Sequence, residues 1–216
     1  MIKVTILGAG AWGTAVAALC ARNGHNVLLW AFEHAVANDI TQQHTNTRYL
    51  PKVILPATLQ ATTSLEAALV HASYIIEAIP VQFLRTIFSQ ATPFITSRHS
   101  VIVLSKGIEI STLTYPHKLI EEIWKTSSIG IVAGPNFARE VAAGSISGAI
   151  CATQDAALFE KIEALFSCAT FSLTRSTDLI GTAIAAAIKN VLALGTGILI
   201  GAGYESNTQA LFLTRG

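Results

Sequence analysis

The chain has 216 residues, of which 51% are hydrophobic and 12% charged, with a formal net charge of +1. That composition can fill a large core and excludes an intrinsically disordered chain. A charge so close to zero offers no electrostatic basis for binding nucleic acid or an anionic membrane surface.

In chain order, Met1–Trp30 comes first and says most. Ile2, Val4, Thr5, Ile6 and Leu7 predict a strand buried on both faces. They lead into Gly8-Ala9-Gly10-Ala11-Trp12-Gly13. Thr14–Arg22, rich in alanine, predicts a helix that stops at Asn23-Gly24, and Asn26–Trp30 predicts a second strand. Strand, glycine turn, helix and strand in this order form a dinucleotide-binding unit. Gly8 permits the tight turn, Gly10 lets backbone approach a pyrophosphate, and Gly13 lets helix pack closely on strand. The helix start then presents free N–H groups and a positive dipole end to phosphates. A glycine-rich turn of another α/β fold is the alternative.

The alternation continues. Glu33–Gln43 predicts a short helix, His44–Pro56 a loop, Ser64–Val70 a helix, Tyr74–Ile79 a buried strand, and Val81–Ala91 another helix. Ser100–Leu104 predicts a strand, Tyr115–Lys125 a helix, Ile129–Ala133 a strand, and Asn136–Ala143 a short helix. Ser147–Ala152 and Thr170–Leu173 predict strands on either side of a helix at Asp155–Phe166. From Thr177 the pattern is helical to the end, broken near Gly201–Gly203. The fold class is therefore α/β: a doubly wound, Rossmann-type sheet over residues 1–176, followed by the start of an all-helical second domain at 177–216. Leu179–Gly203 is apolar enough to be mistaken for a membrane span, but Lys189-Asn190 near its centre favours a helix buried inside a soluble protein. Cys20, Cys151 and Cys168 are far apart and outside any ligand spacing. They read as buried free thiols of a reducing, cytoplasmic compartment, with no metal site.

Ligands of open α/β sheets bind beyond the carboxyl ends of the strands. Three clusters fall there: Ile79-Pro80-Val81-Gln82, Leu104-Ser105-Lys106-Gly107 and Gly134-Pro135-Asn136-Phe137-Ala138. Lys106 at a strand tip can pair with a phosphate, or be a plain surface lysine. The Gly134–Ala138 turn can hold an anion on its backbone, or be a turn before a helix. Lys189 lies among Ala185, Ala186, Ala187, Ile188, Val191 and Leu192. An ammonium in such company is costly unless paired or deprotonated. Oxidising a secondary alcohol by hydride transfer needs a group to take the hydroxyl proton, and such a lysine suits that role, with Asn190 orienting lysine or substrate. A lysine that snorkels to the helix surface is the alternative.

Gly8–Ala15, Ser105-Lys106-Gly107, Gly134–Ala138, Ile188-Lys189-Asn190 and Thr214-Arg215-Gly216, in this order, resemble the bacterial NAD(P)-dependent glycerol-3-phosphate dehydrogenases, as does the loop Asn46–Pro51. The resemblance covers essentially the whole chain. It implies reversible reduction of dihydroxyacetone phosphate to sn-glycerol 3-phosphate, feeding phospholipid synthesis, with a small-molecule substrate and room for a homodimer. It implies Lys189 as proton acceptor and substrate ligand, Lys106 against cofactor and substrate, and Gly134, Asn136 and Asn190 at the substrate. Gly8, Gly10, Ala11, Trp12, Gly13, Pro80 and Ala138 fall to the cofactor, together with Phe32, Glu33 and His34 after the second strand.

Three departures stand out. Ala185 and Ala186 replace two glycines of the family, adding methyl groups near Lys189. Phe32-Glu33-His34 stands where many members place a base for the 2′-phosphate of NADP. Glu33 can bind ribose hydroxyls and repel a 2′-phosphate, which favours NAD, while His34 keeps NADP open. Family members are also longer, so the resemblance leads us to expect a fragment with weak or no turnover. Two rivals remain: a dehydrogenase of the 3-hydroxyacid or 6-phosphogluconate type, and a non-catalytic dinucleotide-binding protein. Neither lysine would matter to the second.

Overall fold

The structure is a computed structural model that describes residues 1–126 and 128–216. Its centre is one eight-stranded sheet: β1 (Lys3–Leu7), β2 (Asn26–Trp30), β3 (Gln60–Thr62), β4 (Tyr74–Glu77), β5 (Ser100–Val103), β6 (Ile129–Ala133), β7 (Ser147–Ala152) and β8 (Phe171–Ser176). The spatial order is β3-β2-β1-β4-β5-β6-β7-β8. The first six strands run parallel; β7 turns antiparallel to β6, and β8 follows β7 in parallel. The doubly wound α/β architecture expected from the sequence is thus present, with its order reversing between β1 and β4.

Side-chain alternation along the strands divides the core into two layers. Val4, Ile6, Leu29, Ile76 and Ile102 point to one face. There they meet helices α1 (Ala11–Arg22) and α7 (Ala156–Phe166), with α6 (Ala138–Ala143) at the margin. Leu7, Ile75, Val101, Val103 and Ile131 point to the other face. Helices α3 (Leu65–His71), α4 (Val81–Ala91) and α5 (Pro116–Trp124) cover them. The central strands β1, β4, β5 and β6 are largely apolar on both sides because both sides are covered.

Several local expectations are corrected. β3 is a strand the sequence does not announce, because Gln-Ala-Thr is three residues long and carries no apolar pattern. The Glu33–Gln43 segment is a short helix, α2 (His34–Asn38), that widens into a π-turn at Asp39–Gln43 and stops where His44 turns left-handed at φ 52°. β8 runs on to Ser176, past the expected end at Leu173. Cys168 is exposed, not buried, whereas Cys20 and Cys151 are buried free thiols.

The largest correction concerns α8 (Leu179–Gly201), expected as a buried helix. Only Ala183 along it is buried, and Val191, Leu194, Ile198 and Ile200 stand more than half exposed. By length and composition it is the one helix among the described residues able to cross a membrane. It packs on β6 and β7 near its start and on α9 (Ser206–Arg215) near its end.

The glycine turn explains how α1 sits on β1. Gly8 adopts φ 114°, a conformation that L side chains rarely take, and a side chain there would press on the Ala78 carbonyl. A methyl group on Gly13 would collide with the Gly8 carbonyl oxygen, whereas Gly10 has nothing within 4 Å of its absent side chain. Gly13→Ala is expected to lower stability by about 2 kcal/mol or more, as overpacking against backbone does. Gly10→Ala is expected to stay within about 1 kcal/mol of the parent, the size of a lost N-cap preference. Urea denaturation of both variants, with matched slopes, checks the contrast.

Candidate functional site

Four loops meet at the carboxyl edge where the strand order reverses. They are Gly8–Gly10 after β1, Ala78–Pro80 after β4, Leu104–Gly107 after β5, and Gly134–Phe137 after β6. Trp12, Ala78, Ile79, Pro80, Leu104, Ser105, Lys106, Asn136 and Ala138 line a cleft of about 290 Å³ between them. Trp12, Pro80, Lys106, Asn136 and Ala138, proposed separately from the sequence, therefore share one cavity. Gly10 caps α1, and no side chain bonds to its first N–H groups. Those N–H groups, and the open space over Gly10, are what a pyrophosphate requires.

The Gly134 turn is tight for a specific reason. A side chain at Gly134 would meet the Gly148 carbonyl and the Asn136 amide, each under 3 Å away. Asn136 holds its Oδ1 buried without a hydrogen-bond partner, and Ser105 does the same with its Oγ. Both residues line the cleft. Buried polar atoms without partners are rare, and these two fit the polar edge of a bound ligand.

Lys189 reaches this place from α8. Its Nζ lies 5.4 Å from the centre of the Phe137 ring, a cation–π distance. The residue is half-buried, less enclosed than its apolar neighbours in sequence suggest. Burial, and then the positive charge of Lys189, hold Lys106 below the ordinary lysine range. Lys106 lines the cleft, and Lys189 stands near enough for its charge to be felt there, so the edge of the cleft is positive. Asn190, the next residue, is exposed and makes no side-chain hydrogen bond among the described residues. Ala185 is exposed and Ala186 half-buried, and α8 runs through both without a break.

At the outer end, beyond β2, Phe32 is 75% exposed and meets Trp30 edge-on, with ring centres 6.5 Å apart. Glu33 accepts a hydrogen bond of 2.6 Å from the Tyr49 hydroxyl and lies 3.7 Å from the Arg48 guanidinium. Arg48 in turn stacks 5.2 Å over the Tyr49 ring. His34 faces the Thr63 hydroxyl at 3.3 Å.

Two further residues at the site are not among the candidates drawn from the sequence. Asn46 is buried and donates both to the Ala9 carbonyl, at 2.9 Å, and to the Thr14 hydroxyl, at 2.8 Å. It locks the Asn46–Leu50 loop to the glycine turn; the family-like run Asn46–Pro51 is its only trace in the sequence. Glu77 is fully buried at the end of β4, and its signal is a lone acid inside an apolar strand. Burial pushes its carboxyl up to about 7, against the pull of donors at Ser105 and Ile79. In the unfolded chain such a carboxyl ionises near 4.5, so between these values the folded state keeps a proton that the unfolded state has lost. Stability present at low pH is then lost as pH rises through this window. Glu77→Gln is expected to flatten that fall, whose size is on the order of 3 kcal/mol for a fully buried acid. Denaturant titrations from pH 4 to pH 8 measure it.

Comparison with known proteins gives a consistent result. The family model described as NAD-dependent glycerol-3-phosphate dehydrogenase N-terminus matches residues 3–159, and its C-terminus counterpart matches residues 178–216. A glycerol-3-phosphate dehydrogenase, NAD(P)+, of Lysinibacillus sphaericus is 38% identical over 221 residues, covering 100% of this chain and 65% of that protein. The one of Enterococcus faecalis is 35% identical, covering 99% and 64%. The chain thus spans about 65% of the length of such relatives. The crystal structure of glycerol-3-phosphate dehydrogenase from Coxiella burnetii superimposes with a TM-score of 0.91 at 28% identity, over 99% of this chain and 66% of that one.

Proposed function

The chain belongs to the NAD-dependent glycerol-3-phosphate dehydrogenase family, and from that premise we propose that it binds NAD or NADP along the carboxyl edge of its sheet and interconverts sn-glycerol 3-phosphate with dihydroxyacetone phosphate. The meeting of Lys106 and Lys189 beside the cleft carries this reading. A phosphate ester is a dianion, and the positive charge that Lys106 brings to the cleft is its natural counter-charge.

We infer a division of labour that the geometry of the cleft supports. Residues 1–176 would hold the dinucleotide, Gly8, Gly10, Ala11, Trp12 and Gly13 its pyrophosphate and Pro80 and Ala138 its nicotinamide. When bound, the nicotinamide supplies or takes up the hydride at C2 of the substrate. Lys189, in its neutral form, takes the proton of the C2 hydroxyl during oxidation and returns it during reduction. Lys106 counters the phosphate charge, and its lowered pKa follows from burial and from Lys189. Asn136 supports a substrate hydroxyl with its unpartnered Oδ1. Gly134 keeps the turn close enough for that contact, and Asn190 orients the substrate from the segment 177–216.

Glu33 favours NAD, because its carboxylate repels a 2′-phosphate and suits ribose hydroxyls. Arg48, 3.7 Å away, is the cation that Glu33 restrains. Two outcomes test the whole reading. Purified protein is expected to bind NADH and to consume it slowly at most on addition of dihydroxyacetone phosphate, followed by NADH absorbance, and Lys189→Ala to remove the turnover that is seen. NADH affinity should stay within about threefold, since the lysine acts on the substrate proton. Absence of both NADH binding and NADH consumption by the parent overturns the proposal. Separately, Glu33→Ala is expected to shift the ratio of NADPH to NADH affinity upward by about tenfold, through loss of a carboxylate and release of Arg48. Parallel calorimetric titrations with the two cofactors give the ratio.

A further inference from the structure

A carboxyl group in a strand covered on both faces is an expensive occupant, and an apolar residue would fill the place at lower cost. Glu77 is such a group: it is fully buried, and among the described residues no lysine or arginine forms an ion pair with it. What it has are two backbone donors from separate loops. One carboxylate oxygen accepts the Ile79 N–H at 2.5 Å, and the other accepts the Ser105 N–H at 3.3 Å. Ile79 belongs to the loop after β4 and Ser105 to the loop after β5, strands that pair in register with Glu77 opposite Val103. These loops together supply six of the nine residues that line the cleft. They also carry Pro80 and Lys106, which have no bond of their own across the gap.

We propose that Glu77 is a positioning residue, a clasp that holds the strand-end loops of β4 and β5 at the separation a bound dinucleotide requires. It touches neither cofactor nor substrate. It acts through the backbone at Ile79 and Ser105, so that the loop bearing Pro80 and the loop bearing Lys106 meet the ligand as one wall. Farther out, Gln82 still ties the two segments through Ile108 and Ile110, but free of the clasp the stretches nearest the strand ends, with Pro80 and Lys106, lose their fixed separation. Ligand binding must then order them, at a loss of affinity. The inference rests on the dinucleotide reading above.

Two variants and two readouts test it. Glu77→Leu removes both bonds and suits the apolar strand, so thermal stability is expected to hold or rise. NADH affinity, read from the tryptophan fluorescence of the purified protein, is expected to fall by about 100-fold, near tenfold for each bond. Glu77→Gln keeps one acceptor for the Ile79 N–H and turns a donor toward the other, and is expected to bind about tenfold more weakly than the parent. A graded loss of affinity at undiminished stability is what a clasp gives and a merely structural carboxyl does not. If both variants bind NADH within twofold of the parent, the clasp is overturned while dinucleotide binding stands. If Glu77→Leu fails to fold, the Gln variant decides in the same way. If the parent itself binds no NADH, the dinucleotide reading falls, and the clasp with it.

Discussion

Because helix α1 brings its third residue, Gly13, into contact with the carbonyl of Gly8, the start of the helix is held over the end of β1 with almost no freedom. No side chain fits between them, and Gly8 must take a left-handed backbone to make the turn. The α1 side of the cleft inherits its position from this junction. The N–H groups at the start of α1 face the sheet edge, and Trp12 becomes a wall of the cavity. Asn46 completes the junction from outside by bonding to both the Ala9 carbonyl and the Thr14 hydroxyl. Those bonds bring the Asn46–Leu50 loop, and with it Arg48 and Tyr49, to Glu33 beyond β2. One steric constraint and the two Asn46 bonds thereby fix both the turn after β1 and the loop that meets Glu33 beyond β2.

Charge at the cleft follows a different logic. Lys106 stands on a rigid strand end, whereas Lys189 arrives from a helix in the last part of the chain. Burial and the charge of Lys189 depress Lys106, and neither lysine has a carboxylate within salt-bridge distance among the described residues. Glu77 is the buried acid close by, but its oxygens are engaged with backbone N–H groups and its burial favours the protonated form. The positive field is therefore left for a ligand to neutralise. This fits binding energy that is realised only when an anionic substrate is in place.

Much of the sheet was legible in the sequence because strands buried on both faces write themselves as apolar runs, and the glycine turn marks where they meet a ligand. β3 escaped because a three-residue edge strand of Gln60, Ala61 and Thr62 has no run to write. Asn46 and Thr14 are 32 residues apart, and nothing in either segment alone says that they bond. Most cleft residues could be named because their short motifs sit at strand ends, and the family resemblance supplied their roles. Glu77 was hidden by its setting, since periodicity reads Tyr74–Ile79 as a strand whatever its polar member does. Lys189 shows the opposite error. Apolar neighbours along the chain imply burial only when a partner covers them, and in α8 most stand in solvent.

That exposure does not leave Lys189 loosely placed. Asp178 caps α8, its carboxylate accepting the Gly181 N–H at 2.7 Å and its carbonyl accepting the Thr182 hydroxyl at 2.7 Å. One turn later Ala183 is buried among residues that pack on β5 and β6. At the far end the Phe212 ring of α9 lies so close over Gly195 that a side chain there would overlap it. Lys189 falls between these anchors, six residues after Ala183, a rise of about 9 Å along the axis. A helix is stiff over that distance, so the cap and the buried alanine set where the ammonium stands relative to Phe137 and Lys106. Position and burial are thus governed by different parts of α8: the first by its anchored start, the second by whatever lies against its apolar side.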